Sequence, residues 1–361
     1  MLETMVEKRQ AVPDLKKVEE FAGQVITDLG ACLSGVLNLI GHELGLYKAM
    51  DGQGSVTAKE LAEKTGTYER YVREWLNNQA AGGYVTYDPA TKKYALPVEH
   101  AMVLAAEDGT AYMISGFYIA ASVWSDRDRF IEAFKNGKGI GWHEHHQDLF
   151  FGTEALFRSG YKANLIESWI PLLTGVNERL QLGGRVADVG CGHGASTILM
   201  AEHYPNAQFY GFDYHQESID VARKRAKEKG LTNVTFMKAS ADEFGEGKYD
   251  LICFMDSFHD MGNPLKAAMN ARNKLSKTGS LMLVEPAASD NIEENFNPIG
   301  RMYYAASTTI CVPNSHSQDG DYGLGAQAGV SKVVEIIREA GFREVRIADK
   351  TPVNLVFEAT L

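Results

Sequence analysis

Residues 186–196 read VADVGCGHGAS, and this stretch decides the fold. An apolar strand runs to Asp188, a glycine-rich turn follows it, and a helix begins after the turn. Glycines in such a turn let the backbone bend tightly and let a ligand approach it closely, which any Cβ would obstruct. The spacing is GxGxG rather than the GxGxxG of dinucleotide folds, and it favours a nucleoside ligand without a pyrophosphate. The glycines are Gly190, Gly192 and Gly194.

Strands and helices alternate from Val186 to the C-terminus. Near-continuous apolar strands that alternate with helices predict a parallel sheet covered by helices on both faces. The hairpin-like junction at Lys350–Thr351–Pro352 predicts that the last strand is antiparallel. We therefore predict an α/β fold with a doubly wound, mostly parallel sheet of seven strands.

The region in front of this sheet has the pattern of a winged helix. Thr57–Glu60 is typical of a capping box that opens one helix, and residues 67–81 predict a second helix. Residues 84–88 and 92–97 then indicate two strands joined by a turn, which would form the wing. Residues 21–50 have a helical pattern that is apolar all round over residues 31–47, ACLSGVLNLIGHELGLY, which predicts a buried or dimer-forming helix.

Acidic residues follow the next three strands of the predicted sheet. QFYGFD ends at Asp213, where a carboxylate can accept hydrogen bonds from both ribose hydroxyls. VTFMKA is followed by Asp242, which could accept a hydrogen bond from an adenine amino group or could cap a helix instead. YDLICFMD ends at Asp256. The carboxyl ends of parallel strands are where open α/β sheets bind ligands, so these residues predict one site.

These motifs resemble those of class I S-adenosylmethionine-dependent methyltransferases. The resemblance rests on DVGCGHG as the first motif, GFD as the ribose motif, ASADEF as the adenine motif and FMDSFHD as the fourth-strand motif. It extends over essentially the whole chain, to a bacterial-type group with N-terminal winged-helix domains and mostly unassigned substrates. It implies a Rossmann-like sheet, S-adenosylmethionine as cofactor, S-adenosylhomocysteine as product, and methyl transfer to an O, N or S nucleophile of a small molecule.

The resemblance also implies which residues hold the cofactor. The three glycines would line its methionine and ribose parts, and Asp256 would lie by the methionine end or the sulfonium. Tyr161 resembles an aromatic residue that covers the methyl donor, although packing in the core of the connector is an alternative. The predicted cofactor site consists of Asp188, Gly190, Gly192, Gly194, Asp213, Tyr214, Ala241, Asp242, Asp256 and Tyr161.

His259 and Asp260, just past the fourth strand, are the predicted catalytic residues. Methyl transfer needs alignment and a deprotonated nucleophile. A histidine titrates near neutral pH and can take the proton of the acceptor. The alternative for His259 is a structural role in capping or packing.

Three regions follow from these assignments. Residues 1–108 form a winged-helix-like dimerisation domain, residues 109–180 a helical connector that covers the active site, and residues 181–361 the cofactor-binding domain. The last of these contains residues 287–330, a longer excursion than a compact sheet needs, which predicts a lid over the acceptor site. The predicted substrate contacts are His146, Arg301 and Tyr304.

A metal site is not expected from the histidine-rich segment. His143, His145 and His146 lack the i, i+4 spacing that places two ligands on one helical face, and neither a cysteine nor an HExxH motif accompanies them. We therefore predict that the site contains no metal ligands.

Composition and charge limit the partners. The formal net charge of −11 opposes non-specific binding to nucleic acid or to an anionic membrane. No apolar run approaches the roughly 18 residues that span a bilayer, and the polar N-terminus lacks a secretion signal. Four scattered cysteines fit a reducing compartment. We expect a cytoplasmic homodimer that acts on a small-molecule acceptor and has no membrane or nucleic-acid partner.

Two other classes of function remain open. The first is a transcriptional regulator that binds S-adenosylmethionine and reads DNA with its winged helix, but Glu69 and Glu74 lie where a DNA-reading helix needs net positive charge. The second is an NAD-dependent oxidoreductase, against which the GxGxG spacing and the acid at the adenine position argue.

Overall fold

A computed structural model describes residues 13–361, and the chain divides into two compact units. The first unit extends to Glu107, and the second spans Asp108–Leu361. Residues 1–12, which hold most of the polar N-terminus and the start of the predicted dimerisation domain, lie outside the described residues.

The first unit has helices followed by a small wing. A capping box opens its third helix, because the Thr57 hydroxyl accepts a hydrogen bond from the Glu60 amide and the Glu60 carboxylate accepts one from the Thr57 amide. Its three strands form an antiparallel sheet in the order β1-β3-β2. In chain order the elements are α1 (Leu15–Glu43), α2 (Leu46–Met50), β1 (Ser55–Val56), α3 (Ala58–Thr65), α4 (Glu69–Ala81), β2 (Thr86–Asp88), β3 (Lys93–Ala95) and α5 (Val98–Leu104).

Helix α1 exposes most of its apolar side chains. Only Asn38 and Gly41 in this helix are buried. Among the described residues it is the one helix that is long and apolar enough to cross a membrane, judged by length and composition only. A helix of this apolar character was not expected from the sequence, because polar residues such as Gln24 and Thr27 interrupt its apolar run.

The second unit contains a helical segment and then the large sheet. Its elements are α6 (Gly116–Ser125), α7 (Arg127–Asn136), α8 (Gln147–Asn164), α9 (Ile170–Leu172), α10 (Val176–Gln181), β4 (Arg185–Val189), α11 (Ala195–His203), β5 (Gln208–Asp213), α12 (Gln216–Glu228), β6 (Val234–Lys238), β7 (Tyr249–Met255), α13 (Pro264–Lys274), β8 (Leu275–Pro286), α14 (Pro298–Ala306), α15 (Val312–His316), α16 (Val330–Glu339), β9 (Glu344–Lys350) and β10 (Asn354–Thr360).

The large sheet has the strand order β6-β5-β4-β7-β8-β10-β9. Strands β4 to β8 pair in parallel, and β10 runs antiparallel to both β8 and β9. The predicted fold is therefore confirmed, including the antiparallel last strand. Side chains such as Ile252, Phe254 and Leu281 are fully buried between the sheet and its helices. The strand order reverses between β4 and β7, which creates the crevice where such sheets bind ligands.

Candidate active site

A cavity of about 740 Å³ lies in the second unit at the carboxyl ends of β4, β5 and β7. Its wall also includes residues of α8 and of the predicted lid. Most of the predicted site residues line it, namely Tyr161, Gly190, Gly192, Asp213, Tyr214, Ala241, Asp242, Asp256, His259 and Asp260.

The glycine-rich turn forms one wall of this cavity. Gly192 has a φ of +51°, and a Cβ there would meet no atom within 4 Å, so its bare backbone faces open space at the cavity. Gly194 is different, because it is not among the lining residues and its Cβ would lie 2.7 Å from the Phe236 ring. Gly194 therefore serves the packing of α11 on the sheet rather than direct contact with a ligand.

Asp213 ties the end of β5 to this turn. One of its carboxylate oxygens accepts a hydrogen bond from the Gly192 amide and the other accepts one from the His215 amide, each at 2.9 Å. Burial raises the pKa of Asp213 above its ordinary value. The side chain lines the cavity, so its remaining lone pairs are available to hydroxyl donors.

Asp188 does not line the cavity, although it was predicted to bind the cofactor. It is fully buried, and its Oδ2 accepts hydrogen bonds from the Ser196 and Thr197 hydroxyls, each at 2.6 Å. The strand end therefore points its carboxylate at the first turn of α11 instead of at the ligand. Asp188 positions the glycine-rich turn.

Replacing Asp188 with alanine should destabilise the fold by about 1–3 kcal/mol, since two buried hydroxyls would lose their acceptor. Chemical denaturation of the variant and the wild type would measure the difference. Thr197→Ala, which removes one donor and leaves the carboxylate, is the matched control and should cost less. An Asp188→Ala variant as stable as the wild type would contradict this role.

Asp242 lines the cavity while it forms an ion pair. Its carboxylate lies 2.5 Å from the Lys266 ammonium, and this hydrogen bond lowers the pKa of Asp242. The neighbouring Ala241 also lines the cavity, and its carbonyl accepts a hydrogen bond from Asn270. The predicted adenine end of the site therefore contains a carboxylate that already has a cationic partner.

Asp256 is buried at the end of β7 in an unusual backbone conformation, with a φ of +50°. Its carboxylate accepts hydrogen bonds from the Tyr161 hydroxyl at 3.2 Å and from the Asn354 amide at 2.8 Å. Burial and the charge of Glu285 raise the pKa of Asp256 to about 7. Non-glycine residues rarely hold such a conformation unless their surroundings impose it, and such residues cluster at functional sites.

His259 is held by a second buried carboxylate. Its Nδ1 lies 2.8 Å from Oε2 of Glu285, and the other oxygen of Glu285 accepts the Phe258 amide. Nε2 is therefore the nitrogen left for a ligand, and it lies 3.3 Å from Oδ1 of Asp260. Burial lowers the pKa of His259, but the charges of Glu285 and Asp260 outweigh burial and hold the pKa well above its ordinary value.

Glu285 was not among the site residues predicted from the sequence. It lies in β8 within the apolar run LMLVEP, and it is buried. A charged residue at the end of a buried apolar run needs a partner, so this position carried a usable signal. The structure shows that its partner is His259.

The three predicted substrate contacts do not line the cavity. His146 lies at the N-cap of α8, where its ring accepts the Asp148 amide at 3.3 Å, and Arg301 and Tyr304 occupy other faces of α14. Tyr303, the residue before Tyr304, and His143, three residues before His146 and outside α8, line the cavity instead. In α14 one residue turns a side chain by about 100°, so an assignment shifted by one position misses the site.

The connector and the predicted lid meet over the cavity. The Ile140 amide donates to the Pro313 carbonyl at 2.9 Å, and the Trp142 amide donates to the Asn314 side chain at 3.1 Å. Trp142 and Asn314 both line the cavity. A Cβ at Gly139 would collide with the lid backbone, so only glycine allows this close approach.

Two family models match this chain. Residues 180–341 match a model described as a methyltransferase domain. The chain carries a methyltransferase domain. Residues 31–106 match a model described as an Rv2258c-like winged HTH domain. The family resemblance predicted from the motifs is confirmed for both parts of the chain.

Curated relatives match only part of this chain. The ubiquinone biosynthesis O-methyltransferase of Actinobacillus pleuropneumoniae is 32% identical over 106 residues, which are 27% of this chain and 44% of the relative. The ribosomal RNA small subunit methyltransferase C of Haemophilus influenzae is 34% identical over 168 residues, which are 46% of this chain and 44% of that relative. The chain thus spans less than half the length of these relatives.

Solved structures share the fold over nearly the whole chain. An O-methyltransferase family protein from Burkholderia thailandensis has a TM-score of 0.67 at 15% identity and covers 97% of this chain and 98% of its own. Human N-acetylserotonin methyltransferase in complex with S-adenosylmethionine has a TM-score of 0.70 at 14% identity and covers 94% of this chain and 97% of its own. At these identities the likeness establishes the fold.

Proposed function

We propose that this protein transfers the methyl group of S-adenosylmethionine to a hydroxyl group of a small molecule and releases S-adenosylhomocysteine. The observation that carries the proposal is that His259, held from behind by Glu285, lines the same cavity as the glycine-rich turn and Asp213. The methyltransferase domain match and the names of the relatives and structural neighbours support the reaction class.

The cavity fits the cofactor. The exposed backbone at Gly192 suits close approach of the nucleoside, and Asp213 suits its ribose hydroxyls. Among the described residues, the buried hydroxyl of Tyr214 and Nδ1 of His193 have no hydrogen-bond partner in the protein, and both residues line the cavity. Buried polar atoms of this kind are normally satisfied by a ligand or water.

The acceptor end contains the groups that a hydroxyl nucleophile requires. Bound S-adenosylmethionine supplies an electrophilic methyl group. His259 lines the cavity, and in its neutral form Nε2 takes the proton of the acceptor hydroxyl while Glu285 holds Nδ1 and stabilises the resulting imidazolium. Because the pKa of His259 is held well above its ordinary value, the neutral form and therefore the rate should increase as the pH rises. Trp142, Phe150 and Ile310 give this part of the wall an apolar surface that positions the acceptor and excludes water.

Calorimetry with S-adenosylhomocysteine and with NAD tests the cofactor assignment. The first should bind and the second should not. Ligand at 100 times its Kd should stabilise the protein by about 2.7 kcal/mol. Absence of S-adenosylhomocysteine binding by folded protein would overturn the proposal, and a screen of phenols, amines and thiols with labelled methyl donor would decide the nucleophile.

The first unit is proposed to form a homodimer rather than to read DNA. On α4, where a DNA-reading helix needs free cations, Arg70 pairs with Glu74 and Arg73 pairs with Glu69. Helix α1 carries an exposed apolar stripe at intervals of three, four and seven residues, the spacing of helices that pack on a second helix. The stripe consists of Val18, Val25, Leu29, Leu33, Val36 and Ile40.

A second copy of this chain fits the stripe better than a bilayer does. Asp28 lies in the middle of α1, and a carboxylate at the centre of a bilayer costs about 2.5–3.5 kcal/mol. In a dimer the same residue can lie at the solvated edge of the helix pair, as charged residues beside a coiled-coil seam do.

Placing glutamate at both Leu29 and Leu33, which are 57% and 73% exposed, should convert a dimer into a monomer. Each copy would bring two carboxylates into the interface, and these four charges would repel one another across the pair of helices. Light scattering after gel filtration measures the mass, and Gln24→Glu on the same helix is the control that should leave it unchanged. A wild-type monomer, or co-sedimentation of the wild type with vesicles, would contradict the dimer.

A further inference from the structure

We propose that His259, Asp260 and Cys311 form a binding site for a thiophilic divalent cation such as Zn²⁺. Each residue offers one ligand atom, and the three ligand atoms lie within 4.8 Å of one another. Zn²⁺ prefers this set of an imidazole nitrogen, a carboxylate oxygen and a thiolate sulfur. Three protein ligands leave a fourth position, which here faces the cavity.

The orientation of His259 suits metal binding. Glu285 lies 2.8 Å from Nδ1, which fixes the ring and leaves Nε2 as the ligand nitrogen. A carboxylate behind a metal-binding histidine is the usual arrangement at zinc sites, where it orients the ring and makes it a better ligand. Nε2 is already 3.3 Å from Oδ1 of Asp260. This Oδ1 is buried and accepts no hydrogen bond from the described residues.

The charge of the cluster also favours a cation. Asp256, Asp260 and Glu285 place three carboxylates around His259 in a buried region. Lys266 is the single lysine or arginine that lines the cavity within the described part of the chain, and it is paired with Asp242. A divalent cation would therefore be a favourable partner for the buried carboxylates of Asp260 and Glu285.

The sequence positions of the ligands explain why spacing did not reveal them. His259 and Asp260 lie in the short turn after β7, and Cys311 ends a π-helical turn in the lid, Ser307–Cys311. The three ligand atoms already lie within 4.8 Å of one another, and in tetrahedral zinc coordination ligand atoms lie about 3–4 Å apart, so small side-chain movements would complete the site. Metal binding would thus fasten the lid to the end of β7.

Metal binding and proton abstraction compete for the same nitrogen. Nε2 cannot hold Zn²⁺ and accept a proton at once, so Zn²⁺ should inhibit methyl transfer reversibly. This consequence rests on the function proposed above, whereas binding of the metal does not.

Cobalt titration of the full-length protein, freed of metal with a chelator, tests the site directly. Co²⁺ should produce a thiolate charge-transfer absorption in the near ultraviolet and visible bands typical of tetrahedral coordination, and Zn²⁺ should remove both. Cys311→Ser should abolish the charge-transfer band, and Asp260→Asn should weaken binding at least tenfold. Glu285→Gln should weaken it about 10–100-fold.

Controls separate this proposal from the methyltransferase proposal. Cys32→Ser, at an exposed cysteine of the first unit, should leave the Co²⁺ spectrum unchanged. Stabilisation by S-adenosylhomocysteine reports that each variant is folded and binds cofactor. No charge-transfer band in the wild type, or one that persists in Cys311→Ser, overturns the metal site while the cofactor result stands. Zn²⁺ binding without inhibition would overturn only the competition for Nε2.

Discussion

Replacing His259 with alanine is expected to lower kcat by about 10²–10⁴-fold, the usual contribution of a general base. The reason is geometric, because Nδ1 is held by Glu285 and Nε2 faces the cavity, where an acceptor hydroxyl would deliver its proton. Affinity for S-adenosylhomocysteine should change little, since the glycine-rich turn and Asp213 are untouched. Steady-state methyl transfer and calorimetry measure the two quantities.

Unfolding alone would also abolish the activity of the His259→Ala variant, since removal of the imidazole leaves Glu285 buried without its partner. His259→Asn keeps a polar side chain beside Glu285 and so serves as a second variant. Both variants should retain the melting transition and the cofactor-induced stabilisation. His203→Asn, on the exposed end of α11, is the matched control and should retain full activity. Unchanged turnover in both His259 variants would assign the residue to structure rather than to proton transfer.

Replacing Asp213 with alanine should weaken binding of S-adenosylhomocysteine by about 10²-fold. Hydrogen bonds to a charged group contribute about 1.5–3 kcal/mol each, and roughly 1.4 kcal/mol corresponds to a factor of ten in affinity. The variant also loses the acceptor for the Gly192 and His215 amides, so the glycine-rich turn loosens as well. Calorimetric titration gives the Kd directly.

Asp220→Ala provides the comparison for Asp213. Asp220 is an acidic residue of the following helix, α12, and it is mostly exposed with a surface partner in Arg223. Its loss should leave the Kd within about twofold, since exposed ion pairs contribute little. A similar Kd for Asp213→Ala and the wild type would remove the ribose assignment and weaken the cofactor proposal with it.

The fold could be predicted because several independent patterns agree. Apolar strands alternate with helices after Val186, and a glycine-rich turn follows the first of these strands. Each pattern has a direct physical cause in sheet burial or backbone freedom, so each survives in the three-dimensional structure. Exposure of α1 was not predictable in the same way, because an apolar helix has the same pattern whether the core or another chain covers it.

Site residues could be predicted where the end of a strand fixes their position. They could not be predicted where their place in the site depends on the direction of the side chain. Asp213 and Asp256 come directly after strands, so the sheet brings them to one edge. Glu285 and Tyr303 depend on long-range packing and on the rotation of a helix, which periodicity alone defines only to within a residue. Asp188 also follows a strand, yet its carboxylate turns toward two hydroxyls that local sequence did not identify as its donors.

The contact between the connector and the lid has a consequence for the order of substrate entry, reaction and product release. Ile140 and Trp142 are fastened to Pro313 and Asn314 by two hydrogen bonds between segments more than 170 residues apart in the chain. Opening would break these bonds and also the packing of Ile310 and Cys311 on Leu149, so the opened form is a minor one. The acceptor would enter while the lid is open, and methyl transfer would take place after the lid closes. The methylated product would leave only when the lid opens again.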